Sequence, residues 1–440
     1  MSTVLLWMGG AIVIATVVLL IKQYENRLVL LGAGLTMCVL SGRPFDAFAA
    51  FAGNMVVVAL VQNICTVMGF AYVMRLTKCD AHLVNMLVRP LSNVRMLLIP
   101  GAVIVTFVIN ISLPSAAGCA AAVGSILIPL MIGLGVRPAM AATAVMAGTF
   151  GSMLSPGLTH NAMIAAELLK TPDVMTEVIY VHYKADITAM LIGAASLTAI
   201  AWARKEYRDY VPDASHAMPK LEKVNVLYAI IPAVPVLLLI LSSYISGASA
   251  GPWAKDLLKA APWLSSKVMN VPTAMLIGVI LGLTVTRTNP TNGVKDLFRG
   301  AGDGYASIMG IIIAAGVFVA GIKACGLQDA GISALSHSSG AVKWAAGIGS
   351  FLLALVSGSG DAATLAFNKA ITPHAADFGM SIAQLGSIAT LGGCLGRTMS
   401  PLAGAAIVCA GIAGVNPMEI AKRNAIGMLI ALVVMILMLG

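Results

Sequence analysis

Long apolar runs separated by short polar segments occupy most of this 440-residue chain. A helix needs about 20 apolar residues to cross a bilayer. Runs of this kind predict membrane-spanning helices near residues 3–21, 28–43, 46–75, 182–203, 224–243, 270–286, 304–324 and 418–439. Shorter amphipathic stretches lie at 80–92 and 327–337. The pattern therefore predicts an all-α, polytopic membrane protein.

One long polar segment divides the chain into two similar halves. Residues 204–223 run from Arg204-Lys205-Glu206 to Lys220-Leu221-Glu222-Lys223, and we predict that they form a cytoplasmic linker. The N-terminal repeat is then 1–203 and the C-terminal repeat 224–440.

Each half also contains apolar runs that Ser, Gly and Pro interrupt at membrane depth. The pairs of runs 95–134 and 340–378 break at Ser112-Leu113-Pro114-Ser115 and at Ser357-Gly358-Ser359-Gly360-Asp361. The runs 138–170 and 382–415 break near Ser155-Pro156 and Ser400-Pro401. Equivalent serines in the two halves are 245 residues apart at both kinds of break. Matching interruptions in two halves of a membrane chain indicate the binding site of a secondary transporter.

Composition supports the membrane assignment and narrows the function. The chain is 59% hydrophobic and 10% charged, with a mean hydropathy of +0.93, whereas soluble domains are about 25% charged. The net charge of +9 fits basic cytoplasmic loops better than nucleic-acid binding. The seven cysteines are scattered, with no CxxC motif. With no Walker A motif, His/Cys ligand cluster or plausible acid–base pair, we predict neither an enzyme nor a resident metal or cofactor.

The distribution of basic residues favours one topology for the interrupted pairs. If both pairs are re-entrant hairpins, each half has about five crossings and the two halves are inverted relative to each other. Nearly all basic segments then lie on the cytoplasmic side, as the positive-inside rule expects, and both termini are periplasmic. Three lysines of the 244–268 region lie on the other side and are exceptions: Lys255, Lys259 and Lys267.

Hairpin tips and helix breaks supply the chemistry of a solute site. Such breaks expose free N–H groups that favour anions and free C=O groups that favour cations. The candidate substrate-binding residues are Ser112, Pro114, Ser115, Ser155, Thr159, Asn161, Ser357, Ser359, Thr364, Arg397, Thr398 and Ser400. The alternative is that these small residues only permit close helix packing.

Two charged residues at the breaks of the second half support the hypothesis of a solute-binding site. Arg397 lies inside a broken span, where a charge costs about 2.5–3.5 kcal/mol and so needs a partner or a function. Asp361 lies at the second hairpin tip and is the natural candidate to pair with it. Either the two form a structural ion pair, or Arg397 binds a substrate carboxylate while Asp361, with Ser112 nearby, binds a coupling Na⁺ or H⁺. His160 either titrates near neutral pH or is hydrogen-bonded inside the bundle.

Three segments carry a resemblance to a known family: Gly396-Arg397-Thr398-Met399-Ser400-Pro401 with Val415-Asn416-Pro417-Met418-Glu419-Ile420, Ser357-Gly358-Ser359-Gly360-Asp361-Ala362-Ala363-Thr364, and Leu113-Pro114-Ser115-Ala116-Ala117-Gly118. The chain resembles the anaerobic C4-dicarboxylate carriers of the DcuC family, within the ion transporter superfamily. The resemblance implies an inverted-repeat fold with two hairpins and two broken helices, and a homodimer that moves substrate by an elevator-like motion.

We therefore expect a secondary carrier of a bacterial inner membrane for succinate-, fumarate-, malate- or citrate-like carboxylates. The alternatives are a Na⁺/H⁺ antiporter or a gluconate-type carrier of the same superfamily. From other classes, a membrane-embedded enzyme or a channel would also be apolar, but a channel usually lacks inverted halves with doubled breaks.

Overall fold

A computed structural model describes residues 3–22, 24–90, 97–155, 158–170, 175–207, 210–211, 223–246, 252–330 and 340–440. The first half contains α1 (Thr3–Ile21), α2 (Asn26–Leu40), α3 (Pro44–Met55), α4 (Val58–Leu76), α5 (Cys79–Val88), α6 (Leu98–Ser112), α7 (Ala116–Gly133), α8 (Pro138–Ala147), α9 (Thr159–Met163) and α10 (Met175–Ala203). The second half contains α11 (Val226–Ile230), α12 (Val234–Ser246), α13 (Pro252–Ala260), α14 (Val271–Thr286), α15 (Pro290–Gly304), α16 (Gly310–Ala324), α17 (Ala341–Ser357), α18 (Gly360–Ala370), α19 (Ile382–Met399), α20 (Gly404–Ala413) and α21 (Pro417–Leu439).

The predicted all-α membrane fold is confirmed. Within the described ranges, six helical segments are long and apolar enough to cross a membrane, and α3 with α4 would make a seventh, bent by 51°. The predicted span over 46–75 is divided at Val56-Val57 into α3 and α4, which together are long and apolar enough for one bent span. Consecutive β-branched residues lose side-chain freedom in a helix, which accounts for a weak point in this run of valines.

Asparagine and proline fix where several spans begin. The side chains of Asn270, Asn289 and Asn416 accept hydrogen bonds from backbone N–H groups in the first turns of α14, α15 and α21. A proline follows in the first turn of each helix, where its missing N–H costs nothing. Ser381 and Gln384 form a reciprocal capping box at the start of α19.

The buried side chains form two main cores. The first core is formed mainly by α6, α7, α8, α10, α17, α19, α20 and α21. The second core is formed mainly by α2, α4, α14 and α16. Of the helices beside the serine-rich breaks, α6, α7, α17, α19 and α20 thus belong to the first core, whereas Met163 of α9 and Leu365 of α18 belong to the second core with α4.

A glycine in each broken span, 138–170 and 382–415, lets the span pack closely against a helix of the interrupted pair that precedes it. A Cβ on Gly151 would overlap the carbonyl oxygen of Phe107 in α6, and a Cβ on Gly396 would overlap that of Phe351 in α17. Gly151 and Gly396 have the same 245-residue spacing as the serines at the breaks. The same close backbone approach therefore occurs at corresponding places in both halves.

The beginning of the predicted linker is docked against the protein. Glu206 is 3% exposed, and its carboxylate accepts hydrogen bonds from Arg423 Nε (2.9 Å) and Nη2 (2.7 Å) at the start of α21. The Glu206 carbonyl also accepts a bond from the Arg137 N–H. A buried carboxylate needs such a partner, so this pair fixes the end of α10 to α21 and to the start of α8. Residues 208–209 and 212–222 of the linker lie outside the described residues.

Candidate functional site

A cavity of about 260 Å³ lies where the first core meets α4. Its polar lining comes from Ser115, Ser307, Asp361 and Arg397. The rest is apolar or small: Ile64, Val67, Met68, Pro114, Ala116, Ala117, Leu158, Ile308, Gly404 and Ala405. Ligand pockets usually measure about 300–1,000 Å³, so this volume suits a small solute. Both halves of the chain, and helices of both cores, contribute to one chamber.

Three helices begin at this cavity. Its lining includes the first residues of α7 and α20 and the second residue of α18. Ser115 caps α7 by accepting a hydrogen bond from the Gly118 N–H at 3.2 Å, whereas α18 and α20 have no side-chain cap. The first N–H groups of a helix carry partial positive charge and favour anions. The backbone thus makes the chamber attractive to an anion.

Arg397 adds a full positive charge to the same chamber. It lies in the last turn of α19, and Nη2 donates a hydrogen bond to the Thr149 carbonyl at 3.0 Å, which orients the guanidinium. Its Nε is buried and has no hydrogen-bond partner among the described residues. Across the described part of the chain, no carboxylate oxygen lies within 4.0 Å of the Arg397 nitrogens. Arg397 is therefore a cation on the cavity wall whose Nε–H group is available to donate a hydrogen bond to a ligand.

Of the two alternatives for Asp361 and Arg397, the structural ion pair is not found among the described residues. Asp361 Oδ1 is 3.0 Å from His160 Nε2 instead. The His160 side chain is 2% exposed, whereas the Asp361 side chain is 45% exposed and lines the cavity. Arg397 instead donates its hydrogen bond to the Thr149 carbonyl, beside the first break. The result is a buried histidine behind a carboxylate that faces the chamber.

The cavity brings together four of the thirteen predicted residues: Pro114, Ser115, Asp361 and Arg397. Several others satisfy backbone groups at the breaks. Thr398 donates to the Cys394 carbonyl, Ser357 to the Leu353 carbonyl, and Asn161 to the carbonyls of Met153 and Ser155, while Ser400 accepts from the Leu402 N–H. The contacts of these residues fit a structural role better than substrate binding.

Three further candidates, Ser112, Ser359 and Thr364, are absent from the cavity lining. Ser112 ends α6 and is half-buried, and Ser359 precedes α18. Thr364 is buried, and its hydroxyl has no partner among the described residues. Thr159 begins α9, but its side chain lies outside the described part. Because Ser112 is not in the cavity lining, the structure does not join it to Asp361 in a cation site.

Two residues of the site were absent from the predicted set. His160 was noticed only as a titratable residue beside Asn161, and its partner is 201 positions away in the sequence, so no local pattern could reveal the pair. Ser307 lies in a π-helical turn, Tyr305–Met309, between α15 and α16. Such turns often mark functional positions, but π-helical geometry has no reliable sequence signal.

A second His–Asp pair lies away from the cavity. His182 Nδ1 and Asp186 Oδ2 are 2.5 Å apart on one face of α10, and both side chains are fully buried. Their spacing of four residues on a helix was visible in the sequence. The other two polar atoms, His182 Nε2 and Asp186 Oδ1, have no partner among the described residues.

Comparison with known proteins decides the family. The model of the C4-dicarboxylate anaerobic carrier family, DcuC, matches residues 12–440. The chain belongs to this family. Membership confirms the resemblance found in the sequence, and it makes the chain a multi-pass membrane transporter rather than an enzyme.

Individual relatives of the chain are also named as transporters. A transporter of Haemophilus influenzae is 45% identical over 285 residues, covering 63% of this chain and 97% of the relative. The anaerobic C4-dicarboxylate transporter DcuC of Escherichia coli is 26% identical over 390 residues, covering 86% of this chain and 79% of the relative.

Solved structures support the fold of this DcuC-family chain. The YdaH transporter of Alcanivorax borkumensis superposes with a TM-score of 0.61 at 16% identity, covering 89% of this chain and 87% of that one. MtrF of Neisseria gonorrhoeae, described with a class of antimetabolite efflux pumps, superposes with a TM-score of 0.60 at 14% identity. The match covers 90% of this chain and 82% of that one. At these identities the likeness concerns the fold alone.

Proposed function

We propose that this protein is a secondary carrier of a bacterial inner membrane that transports C4-dicarboxylates such as succinate, fumarate or malate with protons. The observation that carries the proposal is Arg397, a guanidinium on the wall of a cavity at which α7, α18 and α20 begin, with no carboxylate partner in the described part of the chain. A guanidinium matches the planar geometry of a carboxylate and can bind both of its oxygens.

The composition of the cavity suits a short aliphatic diacid. One carboxylate would bind Arg397 and the first N–H groups of α18 and α20. The carbon chain would lie against Ile64, Met68 and Leu158. The Ser115 hydroxyl provides a further polar group on the other wall.

Charge balance favours proton coupling. Asp361 shares the cavity with Arg397, and an ionised carboxylate there repels a dianionic substrate. At about 5 Å and an effective dielectric constant near 20, two unit charges interact by about 3 kcal/mol. A proton on the Asp361–His160 pair removes this repulsion, so substrate and proton bind cooperatively and each raises the affinity for the other.

The position of the cavity suits alternating access by relative movement of the two cores. Its lining joins α4 and Ser307 on one side to the hairpin tips and broken helices on the other. In this proposal, the interrupted pairs are re-entrant hairpins of two inverted halves, and both termini are periplasmic. The protein is a homodimer in which the second core stays fixed. The first core carries the substrate across the membrane by an elevator-like movement.

Counterflow in proteoliposomes tests this function. Liposomes loaded with unlabelled succinate should take up labelled external succinate transiently above equilibrium, because a carrier reorients fastest when loaded. A pH gradient, acidic outside, should drive net accumulation from zero internal substrate. Succinate uptake without stimulation by internal succinate would indicate a channel, and no uptake of any C4-dicarboxylate would reject the proposal.

A further inference from the structure

A second arginine lies beside the rim of the cavity. Arg75 is in the last turn of α4 and is exposed. Its Nη2 lies 2.6 Å from the point that a Cβ on Gly118 would occupy, and the Ser115 hydroxyl oxygen lies 3.1 Å from the same point. The Arg75 guanidinium and the Ser115 hydroxyl are therefore close neighbours, and Ser115 lines the cavity.

Arg75 lies at the C-terminal end of α4, which favours a cation, but its guanidinium also lies against the start of α7. Gly118 is in the first turn of α7, whose N-terminal partial positive charge repels a cation. Among the described residues, no carboxylate lies within 4.0 Å of the guanidinium, which packs over the Tyr72 ring at 5.7 Å. The nearby Asp303 carboxylate accepts a hydrogen bond from the Tyr72 hydroxyl. A guanidinium, a hydroxyl and helix N–H groups thus converge from two helices on one spot.

We propose that Arg75 binds the second carboxylate of the substrate at the rim while Arg397 binds the first inside the cavity, so that Arg75 makes the site selective for dicarboxylates over monocarboxylates. This inference rests on the proposed function and extends it to a residue of α4. Because Arg75 belongs to α4 and Ser115 to the hairpin tip, the second carboxylate would bind across the boundary between the two cores.

The chain offers two independent ways to disturb this arrangement. Arg75→Gln removes the charge and keeps much of the side chain. Gly118→Ala places a methyl group where the guanidinium lies and leaves Arg75 itself intact. Alanine is otherwise favourable in a helix, so this change tests the contact rather than the charge. Arg299→Gln is the matched control, because Arg299 is an exposed arginine on the neighbouring α15.

The experiment compares a diacid with a matched monoacid. Unlabelled succinate and monomethyl succinate compete against uptake of labelled succinate, and the ratio of their half-inhibitory concentrations is the readout. Loss of a charge-assisted bond should shrink this ratio by about 10- to 100-fold in Arg75→Gln and by a smaller factor in Gly118→Ala. Arg75→Lys should lie between Arg75→Gln and the wild type. If uptake falls below detection, the same ratio is read from the ligand-induced rise in Tm of the purified variant.

The outcomes separate this inference from the proposed function. An unchanged ratio in Arg75→Gln, or an equal shift in Arg299→Gln, would overturn the assignment of Arg75 even if the wild type transports succinate and Arg397→Gln does not. Parallel loss of affinity for the diacid and the monoacid would assign Arg75 a structural role. If the wild type transports and binds no dicarboxylate, the proposed function itself fails.

Discussion

Replacement of Arg397 by Gln is expected to abolish succinate uptake. Arg397 provides the only guanidinium in the cavity lining, and the uncapped starts of α18 and α20 cannot replace its full charge. Removal of one member of a desolvated charge pair costs about 2–5 kcal/mol, which corresponds to at least about thirtyfold in affinity. Initial rates of labelled succinate uptake, normalised to the amount of protein in the liposomes, measure the effect.

Two further measurements make the Arg397 result interpretable. Arg397→Lys keeps the charge without the planar fork, and we expect it to retain a small fraction of the wild-type rate. Size-exclusion profiles and Tm values of both variants should resemble those of the wild type, since the native guanidinium has one recorded hydrogen bond, to Thr149. Wild-type uptake by Arg397→Gln would disprove the assigned role.

Replacement of Asp361 by Asn is expected to uncouple succinate transport from the proton gradient. The variant lacks both the repulsive charge and the proton-binding carboxylate, so counterflow should persist while accumulation driven by a pH gradient disappears. Over a pH range in which succinate is fully ionised, the wild-type KM should rise with pH, because the protonated Asp361–His160 pair binds the dianion better. The KM of Asp361→Asn should stay constant and low. Arg397 is the other charged side chain in the lining of the cavity that Asp361 faces.

A matched His–Asp pair provides the control for Asp361. His374 Nδ1 and Asp377 Oδ2 are 3.5 Å apart outside the cavity, with both side chains partly exposed. Asp377→Asn should leave the pH dependence of KM unchanged, whereas His160→Gln should weaken it. If accumulation by Asp361→Asn still follows the pH gradient, the proton does not bind at this pair.

The sequence was informative wherever local chemistry determines the backbone. Serine, glycine and proline at 112–115, 357–361 and 400–401 end helices for reasons that hold in any context, and the structure ends α6, α17 and α19 there. Arg397 could be recognised because a charge within a broken apolar span is costly enough to require an explanation.

Side-chain direction at the breaks could not be predicted in the same way. Thr398 follows Arg397 directly, but a helix turns by about 100° per residue, so its hydroxyl bonds within α19 while Arg397 reaches the cavity. The partner of Asp361 depended on how two distant segments pack, which no local pattern contains. Arg75 was not among the predicted site residues, because its proximity to Gly118 is also a tertiary contact.

Substrate protection of a single thiol at the break between α6 and α7 tests the central claim most directly, namely that this break and Arg397 enclose one substrate chamber. Six of the seven native cysteines are buried, so Cys65→Ala gives a background with little labelling by a hydrophilic maleimide. In this background, saturating succinate should slow the labelling of Ser115→Cys at least about fivefold and should not affect Thr291→Cys, at the exposed start of α15. Equal labelling of Ser115→Cys with and without succinate, in protein that still transports succinate, would contradict the account.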